Sequence, residues 1–124
     1  MSQHDDQAVE LAHRLFDAAR NGDADAVGAF VAAGAPVDMQ DAQGNTMLML
    51  ASYHGQAAVV DVLIAAGASV DLTNDRGQSP LAGAVFKDEN EIVALLVAAG
   101  ADPDAGSPTA RETAAMFGRN SLFN

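Results

Sequence analysis

Residues 44–55, GNTMLMLASYHG, run directly into residues 56–71, QAAVVDVLIAAGASVD. A forward shift of 33 residues reaches GQSPLAGAVFKD at 77–88 and ENEIVALLVAAGADPD at 89–104, and the same shift backward reaches GDADAVGAFVAAGAPVD at 22–38. Gly34, Gly67 and Gly100 then share one register, followed in each case by Ala35, Ala68 and Ala101. Asp38, Asp71 and Asp104 share another, and Gly44 matches Gly77. Self-similarity at such a period is the mark of a solenoid, whose units are too small to bury an apolar face alone and must stack.

Within each unit the apolar spacing is helical. Leu11, Ala12, Leu15, Phe16 and Ala19 recur at i, i+3, i+4 and i+7, which predicts a helix over 8–20. Residues 1–7 lack that spacing and are expected to fray. Gly22 ends this helix and Asp23 caps a return helix over 24–33, with Val27, Phe30 and Val31 inward. In the second unit Thr46 caps a helix over 46–54 that turns Leu48, Leu50 and Ala51 toward neighbouring units. A partner helix over 57–66 buries Val59, Val60, Leu63 and Ile64 and leaves Asp61 outward. Gly67, just past that helix, is expected at positive φ, where a β-branched residue resists.

The third unit, 79–87 with 90–98, departs twice. Asp88 stands where Gly55 stands one period earlier, and an aspartate tolerates the left-handed conformation. Gly83 replaces a leucine, which predicts a tighter or locally emptier interior. The last unit is truncated: Ser107 and Pro108 signal a helix over 108–117 with Ala110, Ala114 and Phe117 as its apolar stripe. Arg111 and Thr113 sit at leucine positions, as a polar cap requires. Leu122 and Phe123 either fold back over the open end, leaving a monomer, or leave that end to a second chain in a dimer.

The runs Thr46-Met47-Leu48-Met49-Leu50-Ala51 and Ser79-Pro80-Leu81-Ala82-Gly83-Ala84 resemble the turn-then-TPLH-x-A wording of the ankyrin repeat, and the resemblance extends over residues 8–118. It implies an all-α solenoid of about four helix-turn-helix units, the last truncated, joined by β-turn or hairpin-like fingers. The whole chain, 1–124, would be one such domain, with repeats near 8–40, 41–73 and 74–106 and a C-terminal cap at 107–124. The implied function is non-catalytic protein binding. The wording is closest to small bacterial ankyrin proteins, some of them encoded beside catalases, which implies an accessory role to an oxidative-stress enzyme.

Composition narrows the alternatives. The net charge is −11, from 17 acids against 6 bases. Such a field repels nucleic-acid phosphates and anionic membrane surfaces and favours a basic or mixed-charge protein partner. The same acids also keep an alanine-rich solenoid soluble. There is no cysteine, so disulfides and thiolate metal sites are excluded, in keeping with a cytoplasmic location. MSQHDDQAVE has neither the basic stretch nor the apolar core of a secretory signal. His4, His13 and His54 lie far apart and none has a ligand partner three or four residues on, so no metal or other cofactor is expected. Ser52 and His54 lack a positioned base and an oxyanion hole. Asp102 and Asp104 flank Pro103 as turn residues do.

What remains is a surface. Ankyrin-like solenoids bind partners along a concave groove formed by the fingers and the exposed side of each first helix. Carried over by register, the resemblance assigns to it the helix ends Arg20-Asn21, Tyr53-His54, Phe86-Lys87 and Met116-Phe117. Arg20, Tyr53, Phe86 and Met116 form one column, rich in the residue types of interface hot spots. Asn45, Asp75, Arg76 and Gln78 form a polar rim on the fingers. Against this stands local burial of the same side chains at the helix–finger junction. The alternative function is an acidic mimic of nucleic acid that inhibits a basic protein, which requires acids concentrated along the groove.

Overall fold

The structure, a computed structural model, describes residues 3–123. Its helices are α1 (Gln3–Asn21), α2 (Ala24–Ala32), α3 (Met47–Tyr53), α4 (Ala57–Ala65), α5 (Pro80–Phe86), α6 (Asn90–Ala98) and α7 (Ala110–Met116), followed by a 3₁₀ turn, Asn120–Phe123. Helices α1, α3, α5 and α7 stack in one row, with α2, α4 and α6 in a second row behind them. No strand forms among the described residues. The fingers are hairpin-like turns, one closed by an isolated antiparallel bridge between Gln40 and Thr46. This is the all-α solenoid expected.

At 7 residues each, α3, α5 and α7 are too short to persist alone. Side-chain caps and burial hold them. Thr46 Oγ1 accepts from Met49 N at 3.0 Å and Ser79 Oγ from Ala82 N at 3.1 Å. Thr109 and Glu112 form a reciprocal capping box at the start of α7. Pro108 therefore lies outside α7, which starts two residues later than expected because Thr109, aligned with Thr46, takes the cap. Residues 47–52 and 80–85 are buried all round, since each of these helices is walled by neighbours on both flanks and by the second row behind.

Several expectations change. α1 begins at Gln3, not Ala8, because extending a nucleated helix needs no apolar partner; residues 1 and 2 lie outside the described residues. Leu11 and Phe30 are exposed, Phe30 at 39%. Phe30 shares its register with Leu63 and Leu96, both fully buried. That position faces the preceding repeat, and the first repeat has none. At the other end Val97, in register with the half-buried Val31 and Ile64, is 48% exposed, because no second helix follows α7. Thr113 is buried rather than solvent-facing, and its hydroxyl donates to Thr109 O at 2.8 Å. At Gly83 the tighter of the two expected interiors holds: a Cβ there would stand 2.9 Å from Met49 Cε, so the side chain of one repeat closes on the glycine of the next.

The aspartate register has a structural purpose. Asp38 Oδ1 accepts from Ser69 N at 2.9 Å and Asp71 Oδ1 from Asp102 N at 2.8 Å, each tying one repeat to the next. Asp104 has no following repeat and receives Arg111 Nε instead, at 2.9 Å. That hydrogen bond holds the Asp104 carboxyl below its ordinary range and raises the Arg111 guanidinium. Arg111 also donates to Phe123 O at 2.6 Å, and Leu122 and Phe123 pack against the core. The C-terminal end is thus folded back on itself.

Ser52 is fully buried in α3, and its hydroxyl meets no partner. Ala19 and Val85, at the same repeat position, are apolar and equally enclosed. Ser52→Ala is therefore expected to raise the melting temperature, by an amount equivalent to about 1 kcal/mol, since an unpaired buried hydroxyl carries its desolvation cost. A drop in melting temperature in a thermal scan would show that the hydroxyl has a partner.

Candidate functional site

The ends of the first-row helices are held in register by the backbone. Gly22, Gly55, Asp88 and Gly118 all turn the chain at positive φ, Asp88 at 59°, as expected of an aspartate there. Counting back from them, Arg20, Tyr53, Phe86 and Met116 occupy one position, and Asn21, His54, Lys87 and Phe117 the next. The residue after the turn reaches back to the preceding repeat. Gln56 Nε2 donates to Arg20 O at 2.7 Å, and Arg119 Nη1 lies 3.0 Å from Asp88 Oδ1. The latter contact is too bent for a hydrogen bond and acts as an ion pair.

Along these columns the side chains interlock diagonally. The Lys87 ammonium stands 5.0 Å from the centroid of the Tyr53 ring, in the preceding repeat. One step on, Phe117 meets Phe86 edge to face with centroids 5.9 Å apart. The same geometric relation carries a cation–π contact in one place and an aromatic pair in the next. Tyr53 also meets His54 edge to face at 5.5 Å. Phe86 is 53% exposed, Met116 67% and Phe117 50%, so Phe117 does not join the inward stripe with Ala110 and Ala114. Tyr53 is half-buried, while His54 and Lys87 are exposed.

Two adjoining recesses open on this face and share Tyr53 and Gln78 as a common wall. One, of about 270 Å³, is polar on the finger side, where Asn45, Asn74 and Arg76 stand opposite His54. The other, of about 160 Å³, is mainly apolar and bounded by Phe86, Pro108 and α5 at Ala82 and Gly83. The fingers are braced rather than loose. Asn74 Oδ1 accepts from Arg76 N and Gln78 N, both at 3.0 Å, while its amide donates to Asn45 Oδ1 at 2.8 Å and Gln78 Oε1 at 2.7 Å. Asp75 N donates to Gln43 O of the preceding finger at 3.0 Å.

The expected site residues therefore divide. Tyr53, His54, Asn45, Arg76, Gln78 and Phe86 line the paired recesses. Lys87 lines neither recess but stands over the Tyr53 ring, Phe117 meets Phe86 from outside the recesses, and Met116 is exposed next to it in the chain. Arg20 lies apart: it is ion-paired with Asp17 and, at 3.9 Å, with Asp41, and lines a separate recess with His13. Asp75 is exposed on the finger but does not line either recess. Asn74 and Pro108 were not expected as site residues. The register of Asn74 with Asp41, each accepting two backbone N–H groups of its own finger, would have revealed the first. Pro108 enters because the last finger is short, and only the folded chain shows where it lands.

Among the described residues no three His, Asp or Glu side chains converge as a metal site would need, and no helix is long and apolar enough to cross a membrane. No curated protein matches the chain. A family model for ankyrin repeats in three copies matches residues 15–107 of the 124. The repeat is a non-catalytic fold whose general use is binding other proteins. Periodic helix pairs, braced fingers and that match agree, and the chain belongs to the ankyrin-repeat family.

Proposed function

We propose that this chain binds another protein along the concave face running from Tyr53 to Phe117. The observation that carries the reading is the exposure of Phe86, Met116 and Phe117 side by side, in a fold whose other large apolar side chains are mostly enclosed. Large apolar residues grouped beside a concavity, with a polar rim, are how interaction surfaces differ from ordinary surface. The acidic-mimic alternative is less well supported, because Arg76 and Lys87 border the groove where it requires acids. A monomer is favoured by the packing of Leu122 and Phe123 over the C-terminal end. An accessory role to an oxidative-stress enzyme in a bacterial cytoplasm rests on the resemblance alone, and makes such an enzyme the first partner to try.

Phe86→Ala is the direct test. The side chain is more than half exposed, so the melting temperature is expected to change by the equivalent of no more than about 1 kcal/mol. Affinity for a partner captured from the native host is expected to fall by about 2 kcal/mol or more, roughly thirtyfold. Tyr53→Ala should weaken binding similarly, with a larger loss of stability because Tyr53 is half-buried. Wild-type affinity in a folded Phe86→Ala protein would defeat the groove assignment.

A further inference from the structure

The cations of this acidic chain are distributed unevenly. Arg14 pairs with Glu10, Arg20 with Asp17 and Asp41, Arg111 with Asp104 and Arg119 with Asp88. Arg76 and Lys87 have no acidic partner among the described residues, and both stand at the groove around Tyr53. The neighbouring Asp75 does not neutralise Arg76. Its carboxylate is turned to the preceding finger, with Oδ1 2.5 Å from where a Cβ on Gly44 would stand. Beside this cationic pair lies the apolar recess of about 160 Å³ under Phe86 and Pro108.

We infer that the groove selects a peptide segment of a partner in which a large apolar residue lies within a residue or two of a carboxylate. The apolar side chain enters the Phe86–Pro108 recess, and the carboxylate meets Arg76 and Lys87 across Tyr53. Because the two recesses share a wall, the two groups must be close in the peptide. The net charge of −11 argues against an acidic ligand only at long range. At physiological salt charges more than about 8 Å apart are largely screened, so the nearest unpaired groups decide what the groove accepts. An apolar surface laid over these two exposed cations would leave them without a counter-charge. The partner's binding segment is thus acidic and apolar, not basic as the overall charge suggests.

The inference rests on the concave face being the binding surface, and the experiment separates the two. A library of random short peptides is selected on the full chain at physiological salt, and a recovered peptide is titrated by fluorescence anisotropy. Recovered peptides are expected to pair Leu, Ile, Met or Phe with Asp or Glu. Replacing the acid by its amide should weaken binding about tenfold. An Arg76→Glu, Lys87→Glu double variant, shown to be folded by its melting curve, should lose the acidic peptide by at least about tenfold and gain a version carrying lysine instead. Peptides that need Phe86 but show no acidic preference, or bind the double variant unchanged, overturn this inference alone. No recovered binder, or binders indifferent to Phe86→Ala and to the double variant alike, overturns the groove assignment as well.

Discussion

Leu63→Ala is expected to lower the unfolding free energy by about 2–5 kcal/mol, and Phe30→Ala, one period earlier, by only about 1–2 kcal/mol. Size alone predicts the opposite order. Leu63 is fully enclosed between the repeats on either side, so removing its methyl groups leaves a cavity that rigid helix pairs cannot collapse. Phe30 faces the open flank of the first repeat and keeps 39% of its surface in water. Chemical denaturation of the two variants, compared by midpoint at constant slope, measures the difference. Equal losses would mean that the first repeat is covered by something beyond α1 and α2.

Gly106→Ala should cost about 3 kcal/mol or more, against about 1–2 kcal/mol for Gly67→Ala. Both glycines sit at positive φ, 82° and 88°, so any side chain meets the same left-handed penalty at each. They differ in what a Cβ would touch. At Gly67 nothing lies within 4 Å, whereas at Gly106 the new carbon would stand 2.5 Å from Gly77 O and 3.4 Å from Ser79 N. Those atoms are backbone, and they belong to a joint between fingers in which Ser107 N donates to Gly77 O at 2.9 Å. Relieving the overlap means separating the last finger from the third repeat and with it the wall that Pro108 gives the apolar recess. Partner binding should therefore suffer in Gly106→Ala and survive in Gly67→Ala. If the two variants melt together, the fingers are not in contact there.

Much of this molecule is written in the order of its residues. The 33-residue register, the caps at Asp23 and Thr46, the turn at Asp88 and the burial of Val59, Val60 and Leu63 follow from local chemistry repeated at fixed spacing. In a solenoid nearly every contact is within a repeat or with the next one, so a local pattern specifies most of the packing. The column of Tyr53, Phe86 and Met116 was legible for the same reason.

What the periodic pattern does not encode is what happens where the period breaks. Phe30 and Leu63 are equivalent as letters, and only the missing neighbour exposes one of them. Gly83 reads equally as a tighter or an emptier interior until Met49 of the preceding repeat is seen to close on it. Asp104 has the same register as Asp38 and Asp71, yet with no repeat to follow it turns to Arg111 and fastens the C-terminal turn. The total charge likewise says nothing of where the unpaired charges lie, because ion pairs form between residues the fold brings together. Solenoid register is local and was readable in sequence. The fate of each end, and the two uncompensated cations beside Tyr53, depend on which neighbours are present in space, and that only the tertiary structure decided.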